Sequence, residues 1–238
     1  MNTRLVEVRQ NVLKQNDVVA RSLRQHFHDE GVFVVSLVSS PGAGKTAFLE
    51  DLLTRLQPKY RVAALVGDLA TDNDAKRLAR SLAPVKQIVT GTVCHLEAEM
   101  VKSALRGWQP EKLDMLFIEN VGNLVCPSSY DLGEDLRLVL MSVTEGEDKP
   151  QKYPTIFNTA DVTVITKMDL ANAVGFDGKA ARRSIESVRP GMEVFEVSAK
   201  SGNGMEKLVQ FIESRRRGGA TAPVVQTTVE TGNVMYYG

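Results

Sequence analysis

Short apolar runs and longer periodic segments alternate along the chain, and this pattern predicts strands and helices in turn. The apolar runs are typical of strands buried on both faces of a parallel sheet. Between them, apolar residues recur every three or four positions, as on one face of a helix. The predicted strands are residues 32–38, 61–66, 87–89, 113–118, 136–143, 162–166 and 193–197. The alternation therefore predicts an α/β fold of three layers, with helices on both faces of a mostly parallel sheet.

The same pattern divides the chain into three parts. Residues 1–30 carry an amphipathic segment that predicts one helix, from residue 2 to 30, packed on the flank of the domain or serving as a docking helix for a partner. The main domain spans 31–215, and residues 216–238 lose the periodicity and predict an unstructured tail. Inside the domain, helices are predicted at 46–57, after 71–74 as far as 82, and at 93–106, 177–188 and 204–215, with a loop at 144–154.

The first strand runs into the segment SSPGAGKT, residues 39–46, and a helical pattern follows it. This order nearly matches the phosphate-binding loop G-x-x-x-x-G-K-S/T, with Ser39 where glycine is usual. Lys45 would reach the β- and γ-phosphates, and the Thr46 hydroxyl would ligate Mg²⁺. The residues predicted to surround the phosphates are Pro41, Gly42, Ala43, Gly44, Lys45, Thr46 and Ala47. The segment therefore predicts a P-loop nucleotide-binding domain.

Two acidic residues follow predicted strands at the edge where such sheets bind ligands. Asp68 comes after strand 61–66, and Glu119 comes directly after strand 113–118. Both are candidates for the magnesium shell, and Asp68 is also a candidate for placing the attacking water. Gly122 could offer its backbone N–H to the γ-phosphate. Since no obvious catalytic glutamine is present, hydrolysis is expected to be slow, with Lys45 and Asp68 as the catalytic candidates.

Two later segments predict that the base is guanine rather than adenine. Thr166, Lys167 and Asp169 form the element T-K-x-D after an apolar strand, and the carboxylate can accept from the ring N–H and exocyclic NH₂ of guanine. The second element, which follows the next predicted strand, consists of Ser198, Ala199 and Lys200. Its backbone N–H would contact the base oxygen. The pair predicts GTP as the nucleotide, and an ATPase of the same fold remains the alternative.

Composition narrows the possible partners. The 29 Lys and Arg residues balance 29 Asp and Glu residues, so no global field favours nucleic acid or an anionic membrane. No apolar run approaches the length of a membrane span, and the N-terminus lacks a signal-peptide core. Two cysteines make no disulfide framework, so the chain is expected in the cytoplasm, with thiols available for metal or redox chemistry.

The blocks SSPGAGKT, GDLATDND, TGTVCHLEAEMV, ENVGNLVCP, SVTEGEDKP, TKMD and VFEVSAKSGNGM occur in this order. Across roughly residues 6 to 213 they resemble the HypB family of hydrogenase nickel-incorporation GTPases. The resemblance implies a SIMIBI-class fold, slow GTP hydrolysis with Mg²⁺, and nickel delivery to the hydrogenase large subunit, helped by a partner metallochaperone. The chain departs from other relatives at Ser40, where they carry a signature lysine. It also lacks a Cys- or His-rich N-terminal extension, so high-affinity nickel storage is not expected.

Cys94, His95 and Cys126 are the candidate metal ligands. Adjacent Cys94 and His95 are predicted to open a helix, and Cys126 follows the Glu119 segment. Thiolate and imidazole suit Ni²⁺ or Zn²⁺, but three ligands leave the site incomplete. The resemblance implies a metal bound between two protomers, in a dimer favoured by GTP. Loss of the γ-phosphate would then move the Glu119 segment and change nickel affinity.

Three alternatives stay open at this point. The thiols could be merely buried, and the protein could be a nucleotide-gated, non-enzymatic scaffold or an accessory GTPase for another nickel enzyme. Lys149 could contact the nucleotide, contact the other protomer, or be a plain surface lysine. Arg215, Arg216 and Arg217 predict a solvated helix end rather than a nucleic-acid patch.

Overall fold

Strand β1 (Phe33–Ser39) lies at the centre of a parallel sheet in the computed structural model, which describes residues 3–68, 77–108, 110 and 112–219. Within these residues the sheet has seven strands in the order β3-β2-β4-β1-β5-β6-β7. The others are β2 (Val62–Asp68), β3 (Val85–Val89), β4 (Met115–Glu119), β5 (Leu136–Ser142), β6 (Val162–Thr166) and β7 (Glu193–Glu196). Every neighbouring pair is parallel. The carboxyl ends of all strands therefore meet at one edge.

Helices cover both faces of this sheet. They are α1 (Thr3–Asp29), α2 (Lys45–Leu56), α3 (Ala98–Leu105), α4 (Lys149–Lys152), α5 (Pro154–Thr159), α6 (Gly178–Val188) and α7 (Met205–Gly219). Successive β1 side chains point to opposite faces, so Val35 and Leu37 pack with α2 and α7. Val34 packs with α1 and α3, and Val38 packs with α5 and α6. The predicted three-layer P-loop fold is confirmed.

Element boundaries follow the sequence pattern closely along the strands and less closely at three helices. The helix predicted from residue 93 begins at Ala98, because Glu97 is still extended with φ −116° and ψ 155°. The predicted loop at 144–154 contains α4 and the start of α5, each with a proline in its first turn. Helix α7 continues to Gly219, four residues beyond the predicted end.

Two predicted segments fall partly or wholly outside the described residues. The helix expected after residues 71–74 is described only near its end, where Ala79–Ser81 form a 3₁₀ turn. Most of the predicted tail, residues 220–238, also lies outside them. Among the helices that are described, none combines the length and apolar character needed to cross a membrane.

Gly204 fixes the loop between β7 and α7. Its φ is +74°, and a Cβ added there would collide with the carbonyl oxygen of Glu196. The preceding residues fold back on Ser198, whose N–H donates to Asn203 O at 2.9 Å and whose carbonyl accepts from Gly202 N at 2.8 Å. The loop that carries Ser198, Ala199 and Lys200 therefore depends on a residue without a side chain at position 204.

We predict that Gly204→Ala destabilises the fold more than Gly191→Ala, measured by urea unfolding. Both glycines have positive φ, but the space around Gly191 is open to 4 Å. Gly191→Ala should therefore cost only the left-handed backbone strain, about 1 kcal/mol. Gly204→Ala adds a collision with backbone and should cost about 1–3 kcal/mol more. Equal unfolding free energies for the two variants would contradict this account.

A candidate nucleotide site joined to a cysteine–histidine cluster

The phosphate loop turns tightly between β1 and α2. Gly42 and Gly44 take φ values of +78° and +91°, which only glycine adopts without strain. Ser39 causes no such strain, because the only described non-glycine residues with positive φ are Leu82 and Lys167. Serine is therefore compatible with the backbone at position 39, which is buried at the end of β1.

Lys45, the first residue of α2, is held across the loop. Its Nζ donates to Ser39 Oγ at 3.0 Å, and Ser39 Oγ in turn donates to the carbonyl of Ser40 at 2.6 Å. The ammonium group therefore lies over the loop, and in a turn of this type the backbone N–H groups bind phosphate oxygens. The helix dipole of α2 adds positive potential at the same place. The loop has the geometry and charge to bind a polyphosphate.

Glu119 lies beside Thr46 at the end of β4. Its side chain is 2% exposed, and Oε1 accepts a hydrogen bond from Thr46 Oγ1 at 3.0 Å. A carboxylate and a hydroxyl adjacent to a phosphate cradle are oxygen donors of the kind Mg²⁺ prefers, so this pair fits the ion. Asp68 ends β2 at the same edge, two positions past Val66, which pairs with Glu119. Residues 69–76, which follow it, lie outside the described part.

Gly122 approaches the phosphate loop closely. A Cβ on Gly122 would lie 3.1 Å from both Cα and N of Pro41. The segment that begins at Glu119 therefore touches the loop twice, through the Thr46 hydroxyl and through this backbone contact. This segment therefore bounds the phosphate loop on the side where a γ-phosphate would extend.

The residues predicted to recognise the base surround one cavity of about 210 Å³. Among its lining residues are Gly44, Ala47, Thr166, Lys167, Asp169, Ala199 and Lys200. Thr166 Oγ1 donates to Ala43 O at 2.7 Å, and Lys167 Nζ donates to Gly42 O at 2.7 Å. These two hydrogen bonds connect the T-K-x-D element to the phosphate loop and fix the position of the base cavity relative to that loop.

Ser198 orients Asp169 from behind this cavity. Its Oγ donates to Asp169 Oδ1 at 2.6 Å, which leaves the second carboxylate oxygen available. Lys167 holds a left-handed backbone at φ +59°, an uncommon conformation for a residue with a side chain. That conformation turns the chain from β6 into the short 3₁₀ helix Met168–Leu170, which carries Asp169.

Lys149 is not a plain surface lysine. Its side chain is 11% exposed, forms an ion pair with Glu145, and donates to Ser40 Oγ at 2.8 Å. Glu145 also accepts from Ser40 Oγ, and its other oxygen accepts from Ser142 N at 2.7 Å. The ammonium group of Lys149 therefore lies beside Ser40, although position 40 itself carries a serine and not a lysine. Sequence reasoning missed Glu145, since nothing in its spacing marks it as a partner of the loop.

Cys94, His95 and Cys126 form a cluster next to this nucleotide edge. Their ligand atoms all lie within 4.8 Å of one another, and the two sulfurs are 2.9 Å apart. Cys94 and His95 lie on a loop that precedes the helix starting at Ala98, so the prediction that they open a helix is wrong. The sulfurs and the imidazole are placed to bind one soft or borderline cation.

Close contact and burial shift the pKa values of Cys94 and His95. The hydrogen bond to Cys126 raises the pKa of the Cys94 thiol above its usual value, and burial adds to this. Burial lowers the pKa of His95, with Glu97 acting in the opposite direction. Neither ring nitrogen of His95 makes a hydrogen bond of normal geometry, although Glu97 Oε1 lies 3.4 Å from Nε2. A neutral imidazole with open nitrogens is a competent metal ligand.

Two asparagines join the cluster to the Glu119 segment. Buried Asn120 accepts a hydrogen bond through Oδ1 from Leu96 N at 2.9 Å, and Asn123 Nδ2 donates to Cys94 O at 3.3 Å. Sequence reasoning missed both residues. The signal that could have found Asn120 is its position: a small polar amide directly after an apolar strand and an acidic residue.

Comparison with known proteins identifies the family to which this chain is similar. Residues 33–196 match the model of the CobW/HypB/UreG nucleotide-binding domain. The chain is 44% identical to the hydrogenase maturation factor HypB of Azotobacter vinelandii, covering 90% of this chain and 71% of that protein. It is 40% identical to the hydrogenase/urease maturation factor HypB of Helicobacter hepaticus, covering 91% and 90%.

A solved structure adds the three-dimensional comparison. HypB from Helicobacter pylori, crystallised in complex with nickel, superposes with a TM-score of 0.82 at 38% identity, covering 87% of this chain and 98% of that one. The residues matched by the family model include the phosphate loop, the T-K-x-D element and the cluster. The chain therefore belongs to the CobW/HypB/UreG family of nucleotide-binding domains and, within it, to the HypB hydrogenase maturation factors.

Proposed function

We propose that this protein hydrolyses GTP and uses that reaction to deliver nickel during the maturation of nickel–iron hydrogenase. The observation that carries the proposal is one continuous segment, residues 119–126. It begins at Glu119 against Thr46, passes Gly122 against Pro41, and ends at Cys126 in the cluster. One end of this short segment would thus contact the terminal phosphate of the nucleotide, and the other end carries a metal ligand.

In the nucleotide step, the phosphate loop and Lys45 bind the β- and γ-phosphates. Thr46 and Glu119 would hold Mg²⁺, with Asp68 at the same edge, and the ion would neutralise charge that develops on the phosphates. Asp68 places the attacking water, and Gly122 donates its N–H to the γ-phosphate. With these groups and no glutamine in that role, turnover is slow, as expected for a switch rather than a metabolic enzyme.

In the metal step, nickel is the cargo, and Zn²⁺ competes for the same donors. The cluster in one chain supplies three soft ligands, fewer than a closed tetrahedral site needs. A second copy brought up by GTP would complete the coordination, so we propose a homodimer favoured by nucleotide and metal together. The relative crystallised with nickel supports the choice of metal. A partner metallochaperone supplies the ion, and the hydrogenase large subunit receives it.

The two steps are coupled through the asparagines. Glu119 and Gly122 respond to the γ-phosphate, and Asn120 and Asn123 pass any displacement to Leu96 and Cys94 by direct hydrogen bonds. Hydrolysis would release the segment and change the spacing of the ligands, which lowers the affinity for nickel.

A second recipient is supported by one comparison. The relative from Helicobacter hepaticus is a hydrogenase/urease maturation factor, so an accessory role for another nickel enzyme is the alternative.

We predict that Asp169→Ala lowers GTP affinity about 100-fold and leaves ATP affinity unchanged, in titrations with fluorescent nucleotides. The variant removes two charge-assisted hydrogen bonds to guanine, each contributing about 1.5–3 kcal/mol before compensation. Ser198→Ala keeps the carboxylate but frees it to rotate, so the expected loss is smaller, about tenfold. Equal affinity of the wild type for ATP and GTP would contradict guanine selection.

We predict that nickel affinity differs at least tenfold between complexes with GDP and with a non-hydrolysable GTP analogue, and that Asn120→Ala brings this ratio close to one. The variant removes the acceptor for Leu96 N–H while leaving Glu119 and the three ligands in place. Competition titrations with a chromophoric chelator measure both affinities. Asn172→Ala, at an exposed asparagine, is the matched control and should keep the wild-type ratio. Equal nickel affinities of the wild type in the two nucleotide states would contradict the coupling. An unchanged nickel stoichiometry in Cys94→Ala would favour the non-enzymatic scaffold.

A further inference from the structure

Asn16 is a buried polar residue on a helix that the nucleotide mechanism does not use. It lies on α1, 7% exposed, on the face that also carries Ala20, Leu23 and Phe27 in the core. A buried carboxamide in such surroundings is costly unless both ends are hydrogen-bonded. Both ends of Asn16 are bonded, and the two partners belong to different segments of the chain.

The first partner is the start of α3. Ala98 N–H donates to Asn16 Oδ1 at 2.9 Å. The first N–H groups of a helix have no partner within the helix, and here the side chain of Glu97 at the N-cap position supplies none. Asn16 therefore caps α3 from another helix and fixes its first residue, three positions after His95.

The second partner is the segment that follows Cys126. Asn16 Nδ2 donates to the carbonyl of Asp131 at 2.8 Å. Arg24, two turns further along α1, donates to both oxygens of the Asp131 carboxylate at 2.7 and 2.9 Å. Gly133 lies so close to α1 that a Cβ there would be 2.9 Å from Ala20 O and from Leu23 Cβ. This segment is therefore seated directly on α1, five positions after Cys126.

Between these two anchored points, the segments meet at an aromatic contact. The rings of His95 and Tyr130 have centroids 4.0 Å apart and planes inclined at 38°. Tyr130 directly precedes Asp131, and His95 lies just before Ala98. The spacing that Asn16 sets between Ala98 and Asp131 therefore also sets how the imidazole rests on Tyr130.

We infer that α1 fixes the relative positions of the three metal ligands and that Asn16 is the positioning residue. One carboxamide spans the segment carrying Cys94 and His95 and the segment carrying Cys126, so the distance between the two halves of the ligand set depends on it. This inference rests on the proposed metal function, whose ligands it takes as given. It assigns to the N-terminal helix a role in metal affinity beyond packing against the sheet.

The test compares Ni²⁺ binding by the full chain with Asn16→Ala and Asn16→Asp. Asn16→Ala removes both hydrogen bonds and is expected to weaken Ni²⁺ affinity about tenfold, by competition with a chromophoric chelator. It should also shift the thiolate-to-nickel charge-transfer absorption, because the geometry of the ligands changes. Asn16→Asp keeps an acceptor for Ala98 N–H but places a carboxylate oxygen against the carbonyl of Asp131, so its Ni²⁺ affinity should also fall. Affinity for a GTP analogue should stay within about twofold of wild type in both.

Phe27→Ala is the matched control, since it loosens the same helix in the same core without touching either segment's hydrogen bonds. It should lower the thermal unfolding midpoint and leave the charge-transfer absorption as in wild type. Wild-type Ni²⁺ affinity and spectrum in both Asn16 variants would overturn the inference, as would an equal spectral change in Phe27→Ala. If the wild type itself binds no Ni²⁺, the proposed function fails. If the wild type binds Ni²⁺ and the Asn16 variants bind it equally well, only the inference about Asn16 fails.

Discussion

The hydrogen bond between Thr46 and Glu119 is the contact on which the rest of the arrangement depends. It joins the first turn of α2 to the carboxyl end of β4, two elements brought together by the register of β1 with β4. Because Glu119 is nearly fully buried, its carboxylate has few positions available, and any ion held there feels its charge at short range. Only six residues separate Glu119 from Cys126, so a displacement at one end of this segment has little length of chain in which to be absorbed.

The fold and most of the nucleotide site follow from local sequence patterns. Strand β6 occupies Val162–Thr166 as its apolar run predicts, and the residues of the phosphate loop and the base-recognition elements lie together, since every parallel strand delivers its loop to the same edge. The cluster could be anticipated from residue type, but its local structure could not. The helical spacing of apolar residues predicts a helix from Val93, but the backbone is still extended at Glu97 and the helix begins at Ala98.

What sequence reasoning could not find are the long-range side-chain contacts. Asn16 meets residues 82 and 115 positions away, and Lys149 meets Ser40 across 109 positions. Asparagine in an amphipathic helix is usually solvated, and a lysine that follows several acidic residues usually faces water. Only the packing of α1 against α3, and of the β5–α4 loop against the phosphate loop, turns these residues into buried partners. No spacing rule within a segment encodes such pairs.

An incomplete ligand set suits the carrier role proposed above. A closed tetrahedral site of four thiolates and imidazoles binds its ion too tightly for ready exchange, whereas three ligands leave a position that a second protein can enter. The paired Cys94 and Cys126 thiols must lose protons to bind metal, and the raised pKa of Cys94 makes that loss harder. The cost of deprotonating Cys94 therefore opposes metal binding under the proposed function, and the contacts that fix the three ligands relative to one another become important. Under the two proposals made above, the hydrogen bonds of Asn120 and Asn16 are the contacts that set how the three ligands meet around the ion.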